Sequence, residues 1–415
     1  MNTLTRTIAA ATMLAGGLLA STAYATDLRV TVWVSAKEQL DMLNGFAAGF
    51  KKTHPDVNVT FESIPAANYT QKLTLEIAGG NTPDLGWIME DSAPTFEQAG
   101  VLMDLAPTLK NTPDYDFADF SAPAMGLWQN NGKVYAIPFS TSPFLIYYNK
   151  TLFDQARVED PEQLAAKGEW TMDKFREVAK AIKDATGVYG FEFKDGQGYE
   201  SRVMHAIMPP IRAYGGDAWV NGQCGLDTDQ AVAAMTVLHD MVFKDKSIVP
   251  PGDQSDFFAG AAAMTINQIS RVPTLKTANF KWGLAPLPTG PAGAAPIIGQ
   301  AAIAVFASGK NAQIAADFAA YMTNKQNVAT MAKFFPPARK SVLADKAFLT
   351  SNPAISAAQM QYVADGIANG KVLPSNVKSP QILAAMAPKI DAFWKADADP
   401  KQAMQAVCSV VKPLL

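Results

Sequence analysis

The sequence predicts an α/β protein of two domains around open sheets, on three observations. Between residues 27 and 89 the apolar pattern alternates strand, helix, strand, helix, strand, which is the signature of an open, mainly parallel sheet. About 390 residues remain once an N-terminal leader is removed, more than one ordinary hydrophobic core organises. Hydrophobic residues make up 48% of the chain and charged ones 18%, the balance of a folded chain rather than a disordered one.

The leader is residues 1–25, MNTLTRTIAAATMLAGGLLASTAYA. It holds one early positive charge, Arg6, then an apolar stretch from Ile8 to Ala20 and a small-residue close at Ala23-Tyr24-Ala25. That is the pattern of a secretory signal peptide cut after Ala25. The apolar core is too short for a permanent membrane span, with a retained anchor as the competing reading. The lack of a cysteine near the cut argues against lipid attachment there. The expected product is soluble, exported and periplasmic. Removing Arg6 from 35 basic residues, set against 38 acidic ones, leaves a net charge of about −4. Nothing in that balance calls for nucleic acid or an anionic membrane as partner. Export places Cys224 and Cys408 in an oxidising compartment, where they either pair or remain two separate buried thiols. A bridge would close a very long loop, worth about 4–5 kcal/mol on the chain-entropy account before strain is subtracted.

In order, DLRVTVWVS is apolar at Leu28, Val30, Val32 and Val34 and reads as the first strand. From Lys37 to Thr53 the residues Leu40, Leu43, Ala47 and Phe50 recur at helical spacing, and His54-Pro55 stops the run. VNVTFESI is the second strand, Tyr69–Ala78 a helix with Gly79-Gly80 able to supply a left-handed cap, and DLGWIM the third strand. Further on, EWTMDKFREVAKAIKDA is an amphipathic helix with Thr171 as N-cap, and LDTDQAVAAMTVLHDMVFK is another. GPAGAAPIIGQAAIAVFAS turns and then enters a buried strand; AQIAADFAAYMTNKQNVATMAKF is helical. Asp399-Pro400 opens the last helix as N-cap with proline at the first position.

Ligands of open α/β sheets sit in the crevice beyond the carboxyl ends of the strands. Ser35 to Glu38 follow the first strand and Glu90-Asp91 the third, so both loops should open onto one crevice, while the Gly79 to Asp84 turn lies at the far end and is structural. Signals for catalysis are weak. His54, His205 and His239 are far apart and lack metal-ligand spacing, and no cofactor is implied. Ser308-Gly309-Lys310 lacks the rest of a phosphate loop, and in GQGYES, starting at Gly196, Ser201 stands where a dinucleotide turn needs its third glycine. No G-x-S-x-G elbow occurs. A glycosidase needs two carboxyls across a sugar, a separation that the adjacency of Glu90 and Asp91 does not provide.

Six segments, in order, resemble a known family. They are YTQKLTLEIAGGNTPDL, NGKVYAIPFSTSPFLIYYNKTLFDQA, EWTMDKF, AYGGDAW, FFAGAAAMTIN and WGLAPLPTGPAG. Together they are similar to the extracellular solute-binding proteins of ABC importers, in the sugar-binding group related to maltodextrin- and glycerol-3-phosphate-binding proteins. The resemblance runs from Thr26 to the C-terminus. It implies the two-lobe periplasmic-binding-protein fold, type II-like, with an open α/β sheet in each lobe and a ligand cleft between them. Lobe one would comprise 26–138 and 286–322, and lobe two 141–284 and 324–415, with hinge crossings near 138–143, 284–288 and 321–325. Prolines at Pro138, Pro143, Pro286 and Pro288 fit crossings that must hold a defined path.

The resemblance also implies a ligand-binding set. Ser35 and Glu38 lie in the loop after the first strand, and Glu90 and Asp91 after the third, with Asp91 favoured as acceptor of sugar hydroxyls. Thr141 and Ser142 follow the first crossing, and Trp219 after Gly215-Gly216 is the expected aromatic platform from lobe two. Trp33, Trp87, Trp128 and Trp282 read as structural. Asn267 and Gln268 end the AAMTIN strand; Ser270-Arg271 stands where the maltodextrin-type pattern has an aromatic, which weakens a long-oligosaccharide reading. Gly299 and Gln300 could offer backbone groups. Arg271 and Arg339 leave an anionic ligand open, because guanidinium binds carboxylate or phosphate bidentately. The expected function is the sugar-capturing component of an ABC importer, a monomer that is not an enzyme, closing on a mono- or short oligosaccharide and passing it to the permease. A phosphorylated polyol or other small anion, a secreted glycosidase and a pure sensor are the alternatives.

Overall fold

The alternating residues of the first strand set the first sheet. The computed structural model describes residues 25–193, 203–251, 253 and 255–415; the leader through Tyr24 and the Gly196–Ser201 stretch lie outside the described residues. Strand β1 (Thr26–Val32) buries Leu28, Val30 and Val32, and the helix Lys37–Phe50 covers them with Leu43, Phe46 and Phe50. Each such aliphatic side chain contributes about 1.5–3 kcal/mol by leaving water. β2 (Val57–Ser63) runs parallel to β1 from Thr26↔Val57 to Val32↔Ser63. After the helix Ala66–Ala78 the chain turns at Gly79-Gly80, where Gly80 takes the left-handed φ of +74° that a side chain disfavours. β3 (Leu85–Met89), fully buried, then pairs parallel to β1 on the other side.

A short hairpin, β4 (Gln129–Asn130) and β5 (Lys133–Val134), precedes β6 (Ile137–Pro143), which crosses to the second lobe. There β7 (Leu145–Asn149) is followed by a two-residue hairpin, β8 (Trp219–Val220) and β9 (Gln223–Cys224), then β10 (Met264–Asn267) and β11 (Trp282–Ala285). β12 (Ile297–Val305) returns to the first sheet, and β13 (Lys371–Val372) adds to its edge. The first sheet has the order β13-β12-β3-β1-β2, with β6 also along β12. β12 is antiparallel to both β3 and β6, so this sheet is mixed where a mainly parallel one was expected: its returning strand enters from the other lobe. The second sheet, β10-β7-β11, has three strands and is antiparallel, and most of lobe two is helical.

Three hydrophobic clusters follow this division. One spans β1 to Phe139 and includes Val305 and Phe318; a second holds Phe144, Tyr148, Ile207, Met235 and Val407; a third holds Tyr147, Leu284 and Met360. Two boundary segments differ from the sequence expectation. Residues 286–296, assigned to lobe one, ride on lobe two: the Trp170 indole donates to the Pro286 carbonyl (2.9 Å), and the Ala292 amide to that of Ala213 (3.0 Å). Phe334, Phe335 and Ala338, assigned to lobe two, pack in the first core. Hydrogen bonds decide the first and hydrophobic contact the second; chain order decides neither. Cys224 and Cys408 are joined, with Cα atoms 5.5 Å apart. Among the described residues no helix is long and apolar enough to cross a membrane.

Candidate functional site

The chain leaves β3 at Met89 and delivers the next residue, Glu90, into the space between the lobes. The residue is 3% exposed; Oε2 accepts the Gln300 amide at 2.9 Å, and Oε1 lies 3.7 Å from His205 Nε2. Gln300 belongs to β12 of the first sheet and Glu90 directly follows β3 of the same sheet, whereas His205 rides on the lobe-two helix Val203–Ala213. Phe144 meets the imidazole edge-on at 5.1 Å. This carboxylate–imidazole pair divides the cleft into two adjoining chambers, each lined by both groups.

The first chamber is bounded by Glu90 and Asp91 from lobe one and by Trp219, Met204, Leu373, Pro374 and Ile382 from lobe two. Trp219 Nε1 is buried with no hydrogen-bond partner among the described residues. The second chamber is bounded by Trp33, Met89, Phe139, Phe335 and Ser140, with Gln268 and Ser270 opposite and Gln300 at its base. Its aromatic wall is rigid by edge packing: Trp33 meets Trp87 at 5.0 Å and Tyr69 at 4.9 Å, and Phe139 meets Phe335 at 5.3 Å. The Tyr69 hydroxyl bridges Thr31 and the Trp87 amide, and burial holds its pKa well above the ordinary phenol value. The Gln300 side chain donates to the Ala124 carbonyl at 3.2 Å, while its Oε1 has no partner among the described residues. Carboxylates, amides and flat rings lining one cleft suit a neutral, hydroxyl-rich solute: the polar groups accept or donate hydroxyl bonds while the rings cover apolar faces.

Of the residues singled out from sequence, Glu90, Asp91 and Trp219 meet in the first chamber, and Glu90, Gln268 and Gln300 in the second. The others stand elsewhere. Arg339 is a correction: its guanidinium is wholly buried inside lobe one, donating to the carbonyls of Thr323, Asp116 and Tyr115 and pairing with Asp119. Glu38 is tied to Lys276 and, at 3.7 Å, to Lys333, so its carboxylate serves a surface ion pair. Ser35 is exposed outside both chambers. Arg271 lays its guanidinium over the Phe258 ring at 5.0 Å and lines neither chamber. A Cβ on Gly299 would stand 2.4 Å from Gln268 Nε2, so that glycine makes room for a protein side chain rather than a ligand. Thr141 is a crossing residue, its amide donating to the Pro336 carbonyl at 2.7 Å, and Ser142 accepts Gln268 Nε2 at 3.0 Å. Asn267 is buried at the end of β10 and lines neither chamber; its Nδ2 has no partner among the described residues.

Sequence reasoning missed His205, Trp33, Phe139 and Phe335. Trp33 stands just beyond β1, the same strand-end signal that pointed to Ser35 and Glu38, and could have been found by it. Both ends of the cleft carry lobe-to-lobe bonds. Beside the second chamber, Gln39 Nε2 donates to the Ser270 carbonyl at 3.1 Å next to the Glu38–Lys276 pair; beyond the first, the Thr95 hydroxyl donates to the Val377 carbonyl at 2.9 Å. The lobes are closed on each other. Among the described residues no group of His, Cys, Asp and Glu could hold a metal ion.

The family described as bacterial extracellular solute-binding protein matches residues 45–358. A binding protein of Brucella abortus is 28% identical over 311 residues, 71% of each chain. The galactooligosaccharide-binding protein of Bacillus subtilis is 23% identical over 397 residues, covering 92% of this chain and 88% of its own. Among solved structures, an ABC substrate-binding protein of Listeria monocytogenes in complex with cycloalternan shares the fold. Its TM-score is 0.82 at 22% identity, over 94% of this chain and 98% of that one.

Proposed function

The chain belongs to the bacterial extracellular solute-binding proteins, and on that premise we propose that it is the periplasmic component of an ABC importer, capturing a mono- or short oligosaccharide between its lobes. The observation that carries this reading is the placement of Glu90 and Asp91 on lobe one against Trp219 and His205 on lobe two, around one chamber between the lobes. Buried carboxylates can each accept two hydroxyl hydrogen bonds, and charge-assisted bonds are the stronger kind. An indole supplies a flat apolar surface for a pyranose face. Because the groups come from both lobes, the full set assembles only on closure, which couples capture to a shape a permease can recognise. The solute is delivered unconverted. The sugar names of the relatives support the same class. An anionic solute fits less well, since Arg339 is spent inside lobe one and Arg271 is stacked on Phe258.

A thermal-shift screen of ligand-stripped protein against neutral sugars, polyols, sugar acids and glycerol phosphates tests the reading. A solute at 100 times its dissociation constant stabilises by about 2.7 kcal/mol, a readily measured rise. A shift with neutral sugars and no product formed is expected. Shifts confined to anions, or turnover of a glycoside, would sink it.

A further inference from the structure

Trp219 reaches the first chamber from a minimal scaffold. β8 and β9 make two residue pairs, Trp219↔Cys224 and Val220↔Gln223, closed by a turn in which Asn221 and Gly222 take left-handed φ of 53° and 73°. A ladder this short is marginal in water and does not by itself fix a large side chain. Directly opposite residues of an antiparallel pair project to the same face, so Cys224 stands beside the indole on the face that Trp219 uses. Cys224 is joined to Cys408 on the helix Pro400–Val411, which lobe two anchors by burying Met404, Val407 and Val411. The hairpin base is further held by Arg212, which donates to Asp217 at 3.1 Å and to the β13 carbonyls of Lys371 and Val372, next to the chamber wall at Leu373.

We propose that the Cys224–Cys408 bridge is a positioning device for the solute site. It pins the hairpin opposite Trp219 to the C-terminal helix and so sets the indole against Glu90 and Asp91. The inference rests on the reading of this cleft as the solute site. It makes the bridge's effect on binding run through one side chain, where a general staple would act on the whole lobe.

The test needs no ligand at first. The chain has seven tryptophans; labelled with 5-fluorotryptophan, the mature protein gives a fluorine resonance for each, and Trp219→Phe identifies one. The disulfide-intact protein is compared with the Cys224→Ser/Cys408→Ser variant and with wild type reduced by dithiothreitol, well below melting. The Trp219 resonance should move or broaden while those of Trp33, Trp87 and Trp128 stay in place. An unchanged Trp219 resonance overturns the proposal, as does movement of all seven together, which would make the bridge a staple of the whole fold. Calorimetry with maltotriose and lactose as probes adds a second arm. Loss of the bridge should weaken binding roughly 3- to 10-fold, the scale of one aromatic contact, but leave a Trp219→Ala background within about twofold. Equal weakening in both backgrounds overturns it. If neither sugar binds, the fluorine spectra alone decide the positioning, and the broader solute screen decides the sugar reading.

Discussion

Arg339 illustrates how much one enclosed cation organises. Its guanidinium packs against the rings of Tyr115 (4.8 Å) and Phe120 (4.3 Å), reaches three carbonyls and faces Asp119 at 3.3 Å. Removing one partner of a buried pair strands the other charge, so Arg339→Ala should lower stability by about 3–5 kcal/mol in chemical denaturation. A loss below about 1 kcal/mol would show that water solvates Asp119 instead. Burial raises the Asp119 pKa, but the Ser341 hydroxyl and amide together with Arg339 outweigh it and hold the carboxyl below its ordinary value. The sign follows: this stabilisation is complete above the unfolded pKa of about 3.9 and is lost as pH falls through the lower folded value. The alkaline side is set by tyrosines. Burial pushes Tyr115 up to about 12 against the smaller opposing effects of the Thr323 hydroxyl and Arg339, and raises Tyr69, Tyr147 and Tyr148 as well. Below pH 10 both states keep these protons. Above it the unfolded chain releases them first, so the urea midpoint should fall between pH 10 and 12. A flat midpoint across that window would mean the rings are already hydrated in the folded state.

At the scale of elements, the sheets position the acids and one irregular helix brings the imidazole. Val203–Ala213 contains Pro209 and Pro210, which remove two amide donors from its last turns, yet the helix persists because nearly every side chain along it is buried. Its sequence reads as interrupted, which is why His205 was legible only as an isolated histidine. Glu90 and Asp91 were legible because the apolar run LGWIM stops at two acids and so locates the carboxyl end of β3, and that end faces the crevice in any open sheet. Trp33 was legible by the same signal at the end of β1, but Phe139 and Phe335 were not, since they reach the cleft only through β6 and through the segment after residue 331 that packs back into the first core. The role of Arg339 was hidden for a related reason: residue type says that a guanidinium wants partners, not which side of the lobe wall supplies them. Local cap chemistry, by contrast, transferred directly. Asp399 accepts the Gln402 amide at 2.8 Å and opens the last helix. Asp399→Ala should therefore cost about 1 kcal/mol, seen as a lower melting temperature with the Cys224–Cys408 bridge intact. An unchanged melting temperature would show that burial of Met404 and Val407 alone fixes this helix end.

For the whole molecule, the decisive quantity is the balance between open and closed lobes. Three lobe-to-lobe bonds flank the cleft, Glu38–Lys276 and Gln39–Ser270 at one end and Thr95–Val377 at the other, and of their residues only Ser270 lines a chamber. Bonds present only when the lobes meet stabilise the closed form, and apparent affinity scales with the fraction of molecules that can reach it. Glu38 and Lys276 are partly exposed, so their pair is worth about 0.2–1 kcal/mol, or roughly 1.4- to 5-fold in affinity. Lys276→Glu sets a carboxylate against Glu38 and should weaken solute binding by somewhat more, without altering the chambers. Adding Glu38→Lys with Lys333→Gln, which removes the like charge 3.7 Å away, restores opposite charges and should recover part of the loss. The two ends also differ in salt response. The ionic end is screened as ionic strength rises from about 0.05 to 0.5 M, whereas the Thr95 bond to a backbone carbonyl is not. Thr95→Val should accordingly weaken binding equally at both salt concentrations, and Lys276→Glu mainly at the lower one. Calorimetric titration of the four proteins at both salts reads this directly. If the charge swap fails to rescue, or if Lys276→Glu binds as wild type at low salt, Glu38 acts in some way other than as a tie across the closed cleft.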